Sequence, residues 1–251
     1  MKKANIAICF LLGAALVLGS CGCGSDENKT ASSDKSNGEA IANDSGKTGD
    51  VASSSSSLND KAQIDTIVQI EDQIWMVNNL NVGHFRNGDQ ILEARSYQEW
   101  DKAGVDRVPA WTYYMRELAN GKKYGKIYNW YAVSDSRGLA PQGWHIPSEE
   151  EWAKLRRNLG GAHLAGTKMK SESGWELDGN GDNKSGFNGL PSGARGSKGG
   201  FTKLGTHCYW WSSTEENTDE AMYLILGHDS ENAGWDHYKK GTGMAVRCIK
   251  D

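Results

Sequence analysis

The chain has 251 residues, with 28 basic against 32 acidic side chains, ten tryptophans and thirty-one glycines. Its mild acidity argues against a nucleic-acid partner, because phosphate binding needs clustered Lys and Arg. Glycine and tryptophan at these levels point away from a helical bundle and toward a loop-rich fold pinned by large aromatic anchors.

In chain order, Lys2 and Lys3 precede an apolar run over residues 4–17, and then comes Leu18-Gly19-Ser20-Cys21. A basic start, a short apolar stretch and small residues before a cut make a secretory signal. The run is shorter than the roughly 20 residues a membrane-spanning helix needs. The cysteine after the small pair resembles a bacterial lipobox. Residues 1–20 are therefore expected to be removed, leaving Cys21 as a lipidated N-terminus that holds the protein on a membrane. Removal takes two lysines and no acids, leaving 26 basic against 32 acidic residues, a balance of −6. Residues 21–62 are rich in Ser, Asn, Asp, Gly and Lys and lack aromatics. Such a segment buries too little apolar surface to offset its ordering entropy, so a disordered tether reaching on the order of tens of Å is expected. Ser25-Asp26-Glu27-Asn28 is similar to the signal that sends Bacteroidetes lipoproteins to the outer face of the outer membrane; ordinary linker composition reads the same way. An outer-membrane, lipid-anchored location follows, on the periplasmic face or the cell surface.

One folded domain is expected over residues 63–251. Thr66-Ile-Val-Gln-Ile70 and Gln73-Ile-Trp-Met-Val77 flank Glu71 and Asp72 and read as a hairpin. Ser96-Tyr-Gln-Glu99-Trp100 and Ser148-Glu-Glu-Glu151-Trp152 each place Ser at a helix cap and Glu at the third helical position, the capping-box pattern. In the second, Ile146 is positioned to staple onto Trp152, and the helix should run past Leu155 and Leu159 to Gly160-Gly161. Further on, short strands are expected at residues 209–213, 222–226 and 243–249. Two helices with several short strands in one domain mean α+β.

Of five cysteines, Cys9 leaves with the signal, Cys21 takes lipid and Cys23 falls in the tether. Cys208 and Cys248 remain, both in strand-like runs. In an exported protein they form either a disulfide or two separate buried thiols.

Six blocks occur in order: Trp75-Met-Val-Asn-Asn-Leu80, Tyr124-Gly-Lys-Ile-Tyr-Asn-Trp-Tyr-Ala-Val133, Gly138-Leu-Ala-Pro-Gln-Gly-Trp-His-Ile-Pro-Ser148, Ser185-Gly-Phe-Asn-Gly-Leu-Pro-Ser-Gly-Ala-Arg195, Tyr209-Trp-Trp-Ser-Ser-Thr214 and Gly243-Met-Ala-Val-Arg-Cys-Ile-Lys-Asp251. This series resembles the Fibrobacter succinogenes major paralogous domain, common in lipoproteins of Bacteroidetes and Fibrobacteres. Members often carry cysteines where this chain has Thr112 and Ala140, so the resemblance brings no disulfide pattern with it. Trp144-His-Ile-Pro-Ser-Glu-Glu-Glu-Trp152 and the Met244-Ala-Val-Arg-Cys248 ending are similar to segments of formylglycine-generating enzymes and C-type lectin domains. That resemblance implies a C-type-lectin-like fold: two helices, small antiparallel sheets, and paired N- and C-terminal strands.

No enzyme is expected. Formylglycine chemistry needs two redox cysteines close together in a groove, and Cys208 and Cys248 belong to strand-like runs where a thiol is usually inert. Gly189-Leu-Pro-Ser-Gly193 misplaces its serine for a nucleophile elbow, and no His-Glu-x-x-His helix occurs. His145 reads as a structural hydrogen-bonder, and Glu149, Glu150 and Glu151 as helix-cap acids. Asp178, Asn180 and Asp182 alternate like the start of a calcium loop, but Asn183 replaces the turn glycine and Gly189 the bidentate glutamate. A bare Asp/Asn/Gly turn reads equally well, so no cofactor is expected beyond calcium at that loop. Trp175, Trp235 and Tyr238, with Asn232 and Asp236 nearby, fall in polar, glycine-containing stretches and are the ligand-side candidates. Trp130, Trp144, Trp152, Trp210 and Trp211 are expected in the core. The leading reading is a surface-anchored, non-catalytic module recognising a glycan or a surface protein; a structural or envelope-assembly lipoprotein is the alternative, and an oxidase a distant third.

Overall fold

The computed structural model describes residues 66–251. The signal, Cys21 and the tether lie outside the described residues. Within them the fold is α+β, with five α-helices and twelve strands in three sheets.

β1 (Ile67–Ile70) and β2 (Gln73–Met76) form the expected hairpin, Ile70 opposite Gln73. They belong to a four-stranded sheet in the order β1-β2-β12-β6, with β6 at Trp144–His145 and β12 at Ile249–Lys250. Trp75 faces Ile249 across the antiparallel β2–β12 pair, so the first part of the domain is joined to its last strand. Successive strand side chains point to opposite faces, and Trp75 and Met76 accordingly enter different cores.

Both capping boxes are closed. α1 (Tyr97–Val105) starts at Ser96 and α4 (Glu149–Asn158) at Ser148, each serine accepting the third-residue N–H while the glutamate returns to the serine backbone. α4 buries Trp152 and Leu155 and stops at Leu159 before the two glycines. The staple does not form as expected: Ile146 packs into one core cluster and Trp152 into another.

The two-helix expectation is too low. α2 (Leu118–Tyr124), α3 (Trp130–Val133) and α5 (Ala162–Met169) are short and carry no strong sequence signal. Glycine inside α2 and α5 costs about 1 kcal/mol against alanine, so tertiary packing is what holds them. Gly166 of α5 has its reason in that packing: a Cβ there would lie 2.5 Å from the Glu231 and Asn232 carbonyl oxygens.

A three-stranded sheet joins β3 (Leu92–Glu93), β4 (Ala110–Thr112) and β5 (Ile127–Tyr128). The largest sheet runs β11-β10-β9-β7-β8, with β7 at Ser192–Arg195, β8 at Phe201–Leu204, β9 at His207–Glu215, β10 at Glu220–Gly227 and β11 at Ala233–Lys239. The β3–β4 and β7–β9 pairs are parallel, so these sheets are mixed rather than purely antiparallel.

Residues 243–249 were expected as one strand, but only Ile249 enters a ladder. The segment is instead a stitch. Gly243 bridges Arg195, Met244 bridges Tyr128, Ala245 bridges Trp210, and Ile249 pairs with Trp75 and His145, so all three sheets meet along it. Every residue from 243 to 249 is buried. Around it lie the cores: one built on Met76, Tyr128, Trp130, Trp144 and Trp211, a second on Trp75, Trp152, Phe187 and Trp210, and a third on Trp100, Tyr114 and Ile127. The five tryptophans assigned to the core are all buried there.

Candidate functional site

The ligand-side residues read from the sequence do not form one platform. β11 is an edge strand in register with β10, Trp235 opposite Leu224 and Tyr238 opposite Ala221. Strand alternation therefore separates them: the Trp235 ring packs on the second core and Tyr238 on the first. Asp236 shares the Tyr238 face, opposite Tyr223. Asn232 lies before the strand, exposed, with its Oδ1 3.1 Å from His163 Nδ1. Trp175 is a core residue, 5% exposed, its indole N–H donating to Ser171 Oγ at 3.2 Å and the Gly189 carbonyl at 3.0 Å.

Two of the three candidate calcium ligands, Asn180 and Asp182, are engaged within their own turn. Asn180 turns its Oδ1 inward to accept the Trp175 backbone N–H at 3.0 Å. Asp182 pairs with Lys184 Nζ at 2.7 Å and accepts the Lys184 backbone N–H. Asp178 sits exposed with left-handed backbone, φ 58°. The Asn180 and Asp182 oxygens thus brace the turn itself, and among the described residues no group of three or more His, Cys, Asp and Glu is placed to hold a metal ion.

Cys208 and Cys248 are free, buried thiols, which corrects the bridged alternative. They belong to different core clusters. Cys208 Sγ lies 3.0 Å from Ser192 Oγ, and burial pushes its thiol up to about 11. Cys248 is pushed up to about 12 by the same cause. Neither is a thiolate at neutral pH, so among the described residues these two do not make a reactive pair.

His145 is a clamp, as its place beside a helix start suggested. Nε2 lies 2.7 Å from Glu151 Oε1 and Nδ1 2.8 Å from Asp251 Oδ1, tying β6 to α4 and the last residue. Partial burial opposes protonation, but hydrogen bonds to the two carboxylates outweigh it and raise the imidazole above its usual value.

Sequence reasoning missed a set of buried cations, each set over an aromatic ring and held by carbonyls. Arg247, 1% exposed, donates to Asn79 Oδ1 at 2.8 and 3.1 Å and to the Phe187 and Met76 carbonyls, with its guanidinium 4.3 Å from the Phe187 ring centroid. Arg195 lies 4.6 Å from the Trp100 ring and donates to the Ala94, Ser96 and Gly199 carbonyls. Lys170 sits over Trp175. Lys240 sits over Trp130 and pairs with Glu215. Lys126 is 4.2 Å from the Trp111 ring and donates to Asn81 O, Asn81 Oδ1 and Tyr113 Oη at 2.8, 3.0 and 3.2 Å. Burial pulls that ammonium down to about 8. A buried cation is tolerated only when its donors are satisfied, and ring faces add attraction in a desolvated setting. The sequence signal was present in Met244-Ala-Val-Arg-Cys248: a basic residue in the middle of an apolar run.

One of these pins, Lys126, backs the floor of a surface concavity through Trp111. It is an open groove of about 780 Å³ between the loop at residues 83–91, β3 and the approach to β4. Phe85, Ile91 and Trp111 form its base, 3%, 4% and 8% exposed, with Trp111 Nε1 donating to the Ile91 carbonyl at 3.1 Å and Lys126 behind the indole. Leu92 and Val108 stand proud, 43% and 39% exposed. Glu93, Arg95, Glu99 and Arg137 line the groove as well. Glu93 pairs with Arg95 at 2.6 Å. Arg137 lies 4.1 Å from the Phe85 ring and holds Asp135 and Asp89, pulling both carboxyls below their usual range. β3 is the terminal strand of its sheet, so one backbone edge faces outward beside this groove. A smaller depression of about 220 Å³ lies between the β1–β2 turn, α4 and the last residues.

The family model described as the Fibrobacter succinogenes major domain matches residues 68–250, which takes in every sheet, core and groove described above. No curated protein and no solved structure matches the chain. The chain belongs to the Fibrobacter succinogenes major domain family.

Proposed function

We propose that this protein is an envelope lipoprotein, lipidated at Cys21 and held on the outer membrane, whose folded domain is a non-catalytic module that takes an extended polypeptide along the β3 groove. The observation that carries the reading is an apolar-floored groove beside a terminal strand, flanked by exposed Leu92 and Val108. An extended peptide can add to such an edge through its backbone while alternate side chains fill the apolar floor. Glycan recognition fits less well. Sugar binding favours exposed aromatic faces set side by side, whereas Trp235 and Tyr238 lie on opposite faces of β11. A non-catalytic role fits the two inert thiols and a histidine held by two carboxylates.

The test is selection of a displayed random-peptide library on the full-length protein, alongside a glycan array. Enriched peptides should share an apolar, extended stretch, and Leu92→Asp should abolish their binding while leaving the fold intact by circular dichroism. Glycan binding with no peptide enrichment, or peptide binding indifferent to Leu92→Asp, would overturn the assignment.

A further inference from the structure

The turn after β4 displays a guanidinium that the fold itself does not use. Met115 and Arg116 both have left-handed backbone, φ 53° and 62°. For residues with a Cβ this conformation costs on the order of 1 kcal/mol or more each and persists only where neighbours impose it. Here they do. Tyr114 is buried with its ring 5.1 Å from that of Phe201, and Asn120 Nδ2 donates to the Tyr114 carbonyl at 3.1 Å. The enforced turn sets Met115 and Arg116 outward, both exposed.

Arg116 is nonetheless positioned. Its guanidinium lies 5.7 Å from the Tyr97 ring centroid and 5.8 Å from that of Phe201. Phe201 also carries Arg195 at 4.9 Å, so two guanidinium groups share one ring. Arg195 is engaged with three carbonyls, and after burial the Arg116 charge is the next cause pulling its pKa down. Among the described residues Arg116 has those two rings and that like charge for company, with no carboxylate in ion-pair reach. The nearby acids are occupied: Glu99 closes the α1 cap, and Glu117 accepts from Asn120. The loop whose Gly199 backs onto Tyr97 adds a second exposed cation, Lys198.

We propose that Arg116, set between Tyr97 and Phe201, is a binding site for an oxyanion — a carboxylate, sulfate or phosphate — whose carrier rests an apolar or C–H-rich face on Tyr97 and Met115. A guanidinium held by cation–π contact with two rings, rather than by a carboxylate, keeps its N–H edge available for bidentate contact with two anion oxygens. Tyr97 and Met115, 49% and 50% exposed, supply apolar surface beside that edge. The two ring contacts are used, and the like charge of Arg195 is offset, when an anion arrives. A freely solvated surface arginine needs none of them.

The site is tested on isotope-labelled full-length protein by following arginine Nε–Hε resonances during titration with sulfate, glucuronate or N-acetylaspartate at constant ionic strength. A saturable shift of one resonance is expected, absent in Arg116→Gln and kept in Arg95→Gln, with the backbone amide pattern of each variant unchanged. Arg116→Lys, which keeps charge but loses the planar fork, should bind at least about tenfold more weakly. A preference for glucuronate identifies an acidic sugar as the source of the anion, and one for N-acetylaspartate an acidic peptide. No saturable shift with any probe, or the same shift in Arg116→Gln, overturns the proposal.

Discussion

Arg247 makes four hydrogen bonds, more than any other of the buried cations described above. It is fully buried and has no carboxylate partner; its donors end on Asn79 Oδ1 and on the Met76 and Phe187 carbonyls, which come from two distant parts of the chain. Arg247→Ala should cost about 3–5 kcal/mol in urea unfolding, because it strands those acceptors and removes the cation from two rings. Arg107→Ala, at an exposed pair with Asp219, should cost about 0–1 kcal/mol. His145 makes a pH prediction. Its folded pKa is raised, so its contribution is complete below its unfolded value of about 6.5 and fades as pH rises through the raised folded value. The Glu151 carboxyl is lowered: burial opposes this, but its bonds to Ser148 and His145 prevail, and its share is lost at the acid end. The clamp is therefore strongest between those two titrations. Since the imidazole is 40% exposed, the effect should stay below about 1 kcal/mol and vanish in His145→Gln, read from unfolding curves at pH 6 and about 8. At this scale the sequence revealed residue types but not partners. His145 was legible as structural, while Arg247 was marked only by the apolar run around it, because carbonyls contributed by distant segments leave no local pattern.

Among the elements, those with local chemistry were legible and those made by tertiary context were not. Ser96 and Ser148 announced α1 and α4 because a capping box is written in four consecutive residues. Ser148→Ala should cost about 1 kcal/mol, measured by thermal unfolding, since the Glu151 N–H at the start of α4 loses its acceptor. β11 was hidden: Gly234, Asp236 and His237 give Ala233–Lys239 the look of a loop, and pairing with β10 is what makes it a strand. That single misreading moved Trp235 and Tyr238 from two faces of a sheet to one imagined surface. Trp235→Ala should therefore destabilise the domain by about 2 kcal/mol, through lost packing on the second core, and leave selected-peptide affinity unchanged. A loss of peptide binding at unchanged stability would restore Trp235 as a contact residue.

Over the whole molecule, three small sheets are held together less by any one ladder than by the segment 243–249 threading between them. The six sequence blocks mark where this happens. Trp75, Tyr128, Trp144, Arg195 and Trp210 each lie in one of them, and each pairs with or bridges the last block or its flanking strand. Membership of the family was thus readable from the blocks, because what they encode is the interior. The groove was not, since its floor of Phe85 and Ile91 comes from outside them and only the fold brings it to Trp111. The thiols give a global check. Cys208 and Cys248 should resist alkylation in the native protein and react together on unfolding, and a thiol reductant should leave the melting temperature unchanged. A reductant-dependent drop would mean that the two are bridged. The most direct test of the groove as the recognition face places a photo-crosslinking side chain at Leu92, Val108, Leu164 or Leu177 in the full-length protein within living cells. A discrete adduct with one polypeptide is expected from positions 92 and 108 and none from 164 and 177, whereas adducts only from 164 or 177, or from no position, would contradict it.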